Sequence, residues 1–305
     1  MRLTPRVALL LLVPPLMWAA NAVVGRWLAG SVPPMRLNAL RWAVAALILL
    51  PLAWRMLADA PRRAEWRARW PYLLALGGFG IGAYNSLQYL ALQTSTPVNV
   101  TLIASSTPVW MLLVGMVRYG EHPRRTQWLG AALSALGVLT VLLRGDLGEM
   151  ASLRFVPGDL WMLLAALSWA LYSWLLVKPP AHMQGAARPG WTWAEFLLVQ
   201  IGFGLLWATA ASGFEAASHP ATSPWTAGHW LALAFLGLGP SVLAYRCWGI
   251  GVAAAGPATA AFFANLTPLF ATLMAATLLG ESPQPFHGAA FALIVAGIVV
   301  SSRRG

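Results

Sequence analysis

The chain has 305 residues, 59% of them hydrophobic and only 10% charged. An ordinary water-soluble domain carries about 25% charged residues, and no polar stretch here is long enough to fold as one. The formal net charge of +11 raises a nucleic-acid reading, but the arginines are scattered over short connections, where juxtamembrane anchors sit. The 17 tryptophans fit a chain that crosses many membrane interfaces. Cys247 is the single cysteine and can form no internal disulfide.

A bilayer core takes about 20 apolar residues per helix. That ruler predicts ten spans, at 7–25, 37–54, 72–92, 97–117, 126–143, 158–177, 192–212, 228–249, 255–279 and 285–302. The fold class is therefore an all-α integral membrane protein. The first span resembles a signal peptide, with Arg2 and Arg6 ahead of it and Ala20-Asn21-Ala22 near its end. Its apolar run is longer than a usual signal core, so it is read as a retained helix.

Orientation follows from lysine and arginine. With the N-terminus in the cytoplasm, fourteen of the 20 Lys and Arg residues face the cytoplasm, most of them in the 55–71 loop and near the two ends. Only Arg26, Arg36, Arg144 and Arg154 fall outside, and Arg41 and Arg246 fall within spans. Both termini are expected in the cytoplasm, in a multi-pass protein of a bacterial inner membrane.

An internal repeat divides the chain. Pro97, Thr107, Pro108, Gly120 and Glu121 recur 160 positions later as Pro257, Thr267, Pro268, Gly280 and Glu281. Ala104 and Ala264, Pro123 and Pro283, Leu133 and Leu293, and Gly137 and Gly297 agree as well. The halves are predicted as residues 1–148 and 156–305. Each holds five spans, an odd number, so the second must be inverted relative to the first. Inverted repeats with broken helices at matching places are a transporter signature.

The order of these motifs resembles the drug/metabolite transporter superfamily, EamA type. The resemblance rests on the doubled Thr-Pro and Gly-Glu, on Trp18-Ala-Ala-Asn21 in the first helix, and on Tyr89-Leu90-Ala91-Leu92 closing the third. It implies a ten-helix exporter of amino acids or other small metabolites with a central cavity. The second half departs from the pattern, reading Leu167-Ser168-Trp169-Ala170 without the asparagine.

Polar residues inside the spans are costly in hydrocarbon and should point inward. Taken along the chain, the candidates for substrate binding are Trp18, Asn21, Arg41, Tyr84, Asn85, Gln88, Asn99, Ser105, Trp169, Tyr172, Tyr245 and Asn265. Several share helix faces, such as Tyr84, Asn85 and Gln88 within one turn. Each could equally serve packing through helix–helix hydrogen bonds. Arg41 either snorkels to the outer headgroups or forks onto a substrate carboxylate. Arg246 is expected near the cytoplasmic interface. Pro108 and Pro268 cannot donate to the carbonyls of Ala104 and Ala264 and are read as hinges, with Ser105 and Asn265 beside the breaks. Glu121 and Glu281 read as structural caps, and Glu195 as interfacial. Gly77, Gly78, Gly80, Gly82, Gly202 and Gly204 are assigned to close backbone packing.

No Asp, Glu or His is placed at mid-membrane, which favours a facilitator over a proton-driven pump. The histidines at 122, 182, 219, 229 and 287 lack metal-ligand spacing. No metal, no cofactor and no catalytic set is expected. The partners expected are a small-molecule substrate and the lipid bilayer, not nucleic acid; monomer and homodimer both stay open. The alternative is a membrane-embedded transferase, which needs clustered His, Asp or Glu at an interface.

Overall fold

The computed structural model describes residues 3–28, 31–95, 97–143, 145–146, 148, 150, 155–218, 225–279 and 284–302. Among these residues the chain is all-helical, without strands. The helices are α1 Pro5–Leu28, α2 Pro34–Ala53, α3 Arg55–Ala58, α4 Ala60–Ala68, α5 Trp70–Gly77, α6 Tyr84–Thr94, α7 Pro97–Ala104 and α8 Thr107–Tyr119. They continue with α9 Arg125–Leu142, α10 Pro157–Val177, α11 Trp193–Ser218, α12 Ala227–Leu236, α13 Ala244–Ala255, α14 Pro257–Ala264, α15 Thr267–Leu279 and α16 Pro285–Ser302. A helix satisfies its own backbone hydrogen bonds, as hydrocarbon requires.

Six segments among the described residues are long and apolar enough to cross a membrane: Pro5–Gly25, Pro34–Ala53, Pro157–Val177, Trp193–Ala217, Ala227–Ala255 and Pro285–Ser302. Large apolar side chains point away from the protein along the bundle: Val117, Phe214 and Leu231 are 85%, 80% and 72% exposed. Water would disfavour so much bare apolar surface, whereas lipid accepts it. The chain is accordingly a multi-pass membrane protein.

The two proline sites are full breaks between helices. α7 ends at Ala104 and α8 begins at Thr107; α14 ends at Ala264 and α15 begins at Thr267. Each proline thus lies in the first turn of a new helix, where a missing N–H costs little. The carbonyls of Ala104 and Ala264 accept from the hydroxyls of Thr107 (2.6 Å) and Thr267 (2.7 Å). Asn265 belongs to the second break, as the sequence places it, but it bonds across to the first.

The boundaries repeat. α7, α8, α9 and α14, α15, α16 begin and end at positions 160 apart. Two π-helical turns, Gly78–Ala83 between α5 and α6 and Gly237–Leu243 between α12 and α13, match to within one residue at the same shift. The Ser241 hydroxyl donates to the Leu236 carbonyl at 2.8 Å in the second turn.

α9 and α16 pack closely. A side chain at Gly130 would meet Gly297 and Ser301, and one at Gly137 would meet Ala290 and Ile294, so the two helices run antiparallel. Under the 160-residue shift these two contacts exchange places. Other pairings also join the halves: α1 lies on α13 and α15, and α10 on α6 and α8. α11 lies along α2 and along α5. At one end of the α2 contact the Glu215 carboxylate accepts from the Met35 and Arg36 backbone N–H groups, at 3.1 and 2.9 Å. A carboxylate there complements the exposed donors and positive dipole end of α2.

The close packing expected of Gly77 and Gly204 is present: a Cβ at Gly77 would lie 2.6 Å from both the Gly204 nitrogen and the Gln200 carbonyl oxygen. One other expectation needs correction. Gly202 faces open space and packs against nothing described, because it points to the opposite side of α11 from Gly204. Glu195 is buried at 4% exposure. It sits 3.8 Å from Arg62 and closes the N-terminus of α11 by accepting from the Thr192 N–H at 2.7 Å.

Candidate functional site

The centre of the molecule holds an aromatic cluster drawn from both halves. Trp169 of α10 is its hub. Its ring centroid lies 5.3 Å from Trp18, 5.1 Å from Tyr84, 5.1 Å from Tyr172, 5.4 Å from Tyr245 and 5.3 Å from Trp248. Trp42 of α2 adds an edge contact to Tyr245 at 4.9 Å. Such ring pairs contribute about 0.5–1.5 kcal/mol each beyond buried area.

Several polar groups within the cluster are held by hydrogen bonds. The Trp248 indole donates to Ser173 Oγ at 3.1 Å, and Ser173 donates to the Trp169 carbonyl at 2.8 Å. The first π-helical turn frees carbonyls that side chains then occupy. Ser168 donates to Phe79 at 2.8 Å, Tyr245 donates to Gly80, and Asn85 donates to Ile81 at 3.3 Å. Glycine at position 80 lets the Tyr172 ring lie against the backbone, since a Cβ there would fall 2.5 Å from that ring.

Arg41 lies beside the cluster. It is 2% exposed, so the snorkelling expectation does not hold: the side chain is held inward. Its Nη1 donates to Asn21 Oδ1 at 3.0 Å, and its guanidinium stands 5.0 Å from the Trp42 ring centroid. It makes no ion pair among the described residues. Asn38, Arg41 and Trp42 share one face of α2 by their spacing. Buried polar atoms on that face stand without a partner among the described residues: both amide atoms of Asn38, Nε of Arg41 and Nε1 of Trp42.

A second polar junction joins the two breaks. Asn265 Nδ2 donates to the Ser105 carbonyl at 3.3 Å and to Ser134 Oγ at 2.8 Å. Both Ser105 and Asn265 are buried.

The structure therefore brings Trp18, Tyr84, Trp169, Tyr172 and Tyr245 together, pairs Asn21 with Arg41, and pairs Ser105 with Asn265. Asn85 is buried, donates to the Ile81 carbonyl and lies beside the Tyr245 hydroxyl, and Gln88 is half-buried on α6. The side chain of Asn99 lies outside the described residues, as does Glu281. Glu121 meets Lys178 at 3.0 Å, both about half exposed, as a loop contact. Arg246 is exposed and stacks 5.0 Å from the Trp193 ring at the start of α11. Asn38 and Trp42 were missed by the sequence reading; their helical spacing from Arg41 is the signal that would have found them. Among the described residues no three His, Cys, Asp or Glu side chains gather as metal ligands do.

An all-helical bundle with lipid-facing apolar surface, paired helix breaks and an inward-held arginine beside an aromatic cluster is the architecture of a membrane transporter. The sequence pattern of the EamA-like transporter family matches residues 5–143 and 156–303, and the chain belongs to that family. It is 26% identical to an uncharacterized transporter of Archaeoglobus fulgidus over 97% of both chains. It is 27% identical to the aromatic amino acid exporter YddG of Ancylobacter novellus, over 94% of this chain and 93% of that one. A probable terminal-alkyne amino-acid exporter of Streptantibioticus cattleyicolor is 26% identical over 94% and 93%. One crystal structure superposes with a TM-score of 0.75 at 24% identity, covering 98% of this chain and 96% of that one, which shows the shared fold. These relatives are transporters and exporters, and the chain, like them, is a transporter rather than an enzyme.

Proposed function

We propose that the protein is a secondary carrier that exports small amphipathic metabolites across a bacterial inner membrane by alternating access. Ten spans form two inverted five-helix repeats, residues 1–148 and 156–305, with both termini in the cytoplasm. The observation that carries this reading is the exchange symmetry of the α9–α16 contact: equivalent helices of the two halves that pack antiparallel must cross the bilayer in opposite directions. Such a molecule has two nearly equivalent shapes, one open to each side.

The breaks support a hinge role for Pro108 and Pro268. The half-helices α8 and α14 pack together, whereas α7 and α15 do not pair comparably among the described residues. With the positive-inside orientation, α8 and α14 are the cytoplasmic halves. The described state is thus read as closed inward and open outward. Trp18, Asn21, Tyr84 and Gln88, all half-buried, line the substrate path in this reading, with Trp169, Tyr172 and Tyr245 behind them and Asn99 on the outer half-helix α7. An aromatic lining suits a substrate with a large apolar body, in line with the aromatic amino acid exporter among the relatives.

The test is reconstitution into liposomes preloaded with amino acids and related metabolites, with efflux followed by mass spectrometry, first without an ion gradient and then with a proton gradient. Selective efflux above protein-free liposomes is expected. Absence of efflux under both conditions would count against the carrier.

A further inference from the structure

The fixed charge beside the aromatic cluster is one-sided: Arg41 is buried there with no ion pair among the described residues. Hydrogen-bond donors are open there. Arg41 donates to Asn21 through Nη1, while its Nε and the Trp42 Nε1 are buried without partners on the same helix face. The Asn38 Nδ2 adds a further unpartnered donor three residues away.

Among the described residues, the fully buried side-chain acceptor left open on that face is the neutral Oδ1 of Asn38, and the nearby carbonyls are largely bonded already. The carbonyls freed at the first break are taken: Ile103 by Ser106, Ala104 by Thr107 and Ser105 by Asn265. At the second break Ala264 is taken by Thr267. The carbonyls of Phe79, Gly80, Ile81 and Leu236 at the π-helical turns are taken by Ser168, Tyr245, Asn85 and Ser241. The described carboxylates lie elsewhere: Glu65 and Glu195 with Arg62, Glu121 with Lys178, Asp159 with Ser95, and Glu215 on the α2 terminus. Asp59 precedes α4, and Asp146 follows α9.

A buried guanidinium without a counter-ion is strongly unfavourable, and an anion that pairs with it relieves that cost. A zwitterion delivers a carboxylate but brings an ammonium group, so the site keeps a net positive charge with no described carboxylate beside it to balance it. We infer that the Arg41 site takes a net anion: a monocarboxylate with an aromatic or large apolar body and no neighbouring ammonium group. The carboxylate forks onto Arg41, and the apolar body lies against Trp18, Tyr84 and Trp169. This inference rests on the carrier reading and narrows its substrate away from amino acids.

The test compares three probes that share one body: 3-phenylpropionate, L-phenylalanine and 2-phenylethylamine. Binding is read by quenching of tryptophan fluorescence and by calorimetry, with the full-length protein in lipid nanodiscs. 3-Phenylpropionate is expected to bind about tenfold or more tighter than phenylalanine, since burying phenylalanine's ammonium group beside Arg41 without an anionic partner costs at least that much. The Arg41→Gln variant should lose this preference, and Arg41→Lys should keep part of it. Should Arg41→Gln fail to fold, the wild-type ranking alone decides. Equal or tighter binding of phenylalanine overturns the inference and leaves the carrier intact. Tightest binding of phenylethylamine overturns it in favour of an aromatic cage for cations. Failure of 3-phenylpropionate to bind also overturns it. Only loss of all efflux in the broader metabolite panel would overturn the carrier reading itself.

Discussion

Ser105 and Asn265 occupy the same place in the two copies of the repeat, 160 residues apart, and they touch: Asn265 Nδ2 donates to the Ser105 carbonyl at 3.3 Å. A contact between equivalent residues brings the two helix breaks together. Trp18 and Trp169, which open the matching Trp-Ala motifs of α1 and α10, meet in the same way at 5.3 Å. The junction of the two helix breaks and the hub of the aromatic cluster thus both sit where the halves face each other.

Asn265→Ala should destabilise the protein. It strips the Ser105 carbonyl and Ser134 hydroxyl of a buried donor, at about 1–3 kcal/mol. A lowered melting temperature in detergent, together with slower efflux, is the expected outcome. An unchanged melting temperature would mean that the contact contributes nothing to the assembled halves.

Thr107→Val and Thr267→Val each remove the hydroxyl that donates to the carbonyl at a helix break. Each should cost about 1–3 kcal/mol, while Thr→Ser at the same positions keeps the donor and should be tolerated. Thermal unfolding of the four variants separates the hydrogen bond from the lost shape.

The glycines of α5 and α11 offer a contrast. Gly77→Ala drives a methyl into the backbone of Gln200 and Gly204 at 2.6 Å, so folded protein should fall sharply. Gly202→Ala meets nothing within 4 Å and should leave the yield unchanged. Size-exclusion profiles of tagged protein read both.

Lys178→Ala removes an ion pair whose partners are 46% and 47% exposed. Exposed pairs contribute about 0–1 kcal/mol, so stability should hardly move. A large loss would show that Glu121 and Lys178 tie the halves together more firmly than their exposure allows.

Much of the architecture was legible in the sequence because lipid imposes simple rules. Apolar length marked the helices, and the 160-residue echo of Thr107-Pro108 in Thr267-Pro268 marked the breaks. The π-helical turns at Gly78 and Gly237 were not legible, since one extra residue in a turn leaves no trace in an apolar pattern. The inward hold on Arg41 depends on Asn21 from another helix, and the Asn265–Ser105 bond on how the halves dock. Periodicity reports the face of a helix but not the neighbour that face meets. Gly202 was misread for the same reason.

The most direct measurement of alternating access uses two single-cysteine variants on a Cys247→Ala background. Gly25→Cys stands near the C-terminal end of α1, the outer end in the proposed orientation, with open space around it. Leu176→Cys occupies the matching position of α10, by the register that aligns Trp18 with Trp169. Each is labelled with a membrane-impermeant maleimide from the side the proposed orientation gives it, with and without the transported metabolite at saturation. Alternating access requires the two labelling rates to change in opposite directions when the metabolite is added. Rates that stay fixed, or that rise or fall together, would contradict it.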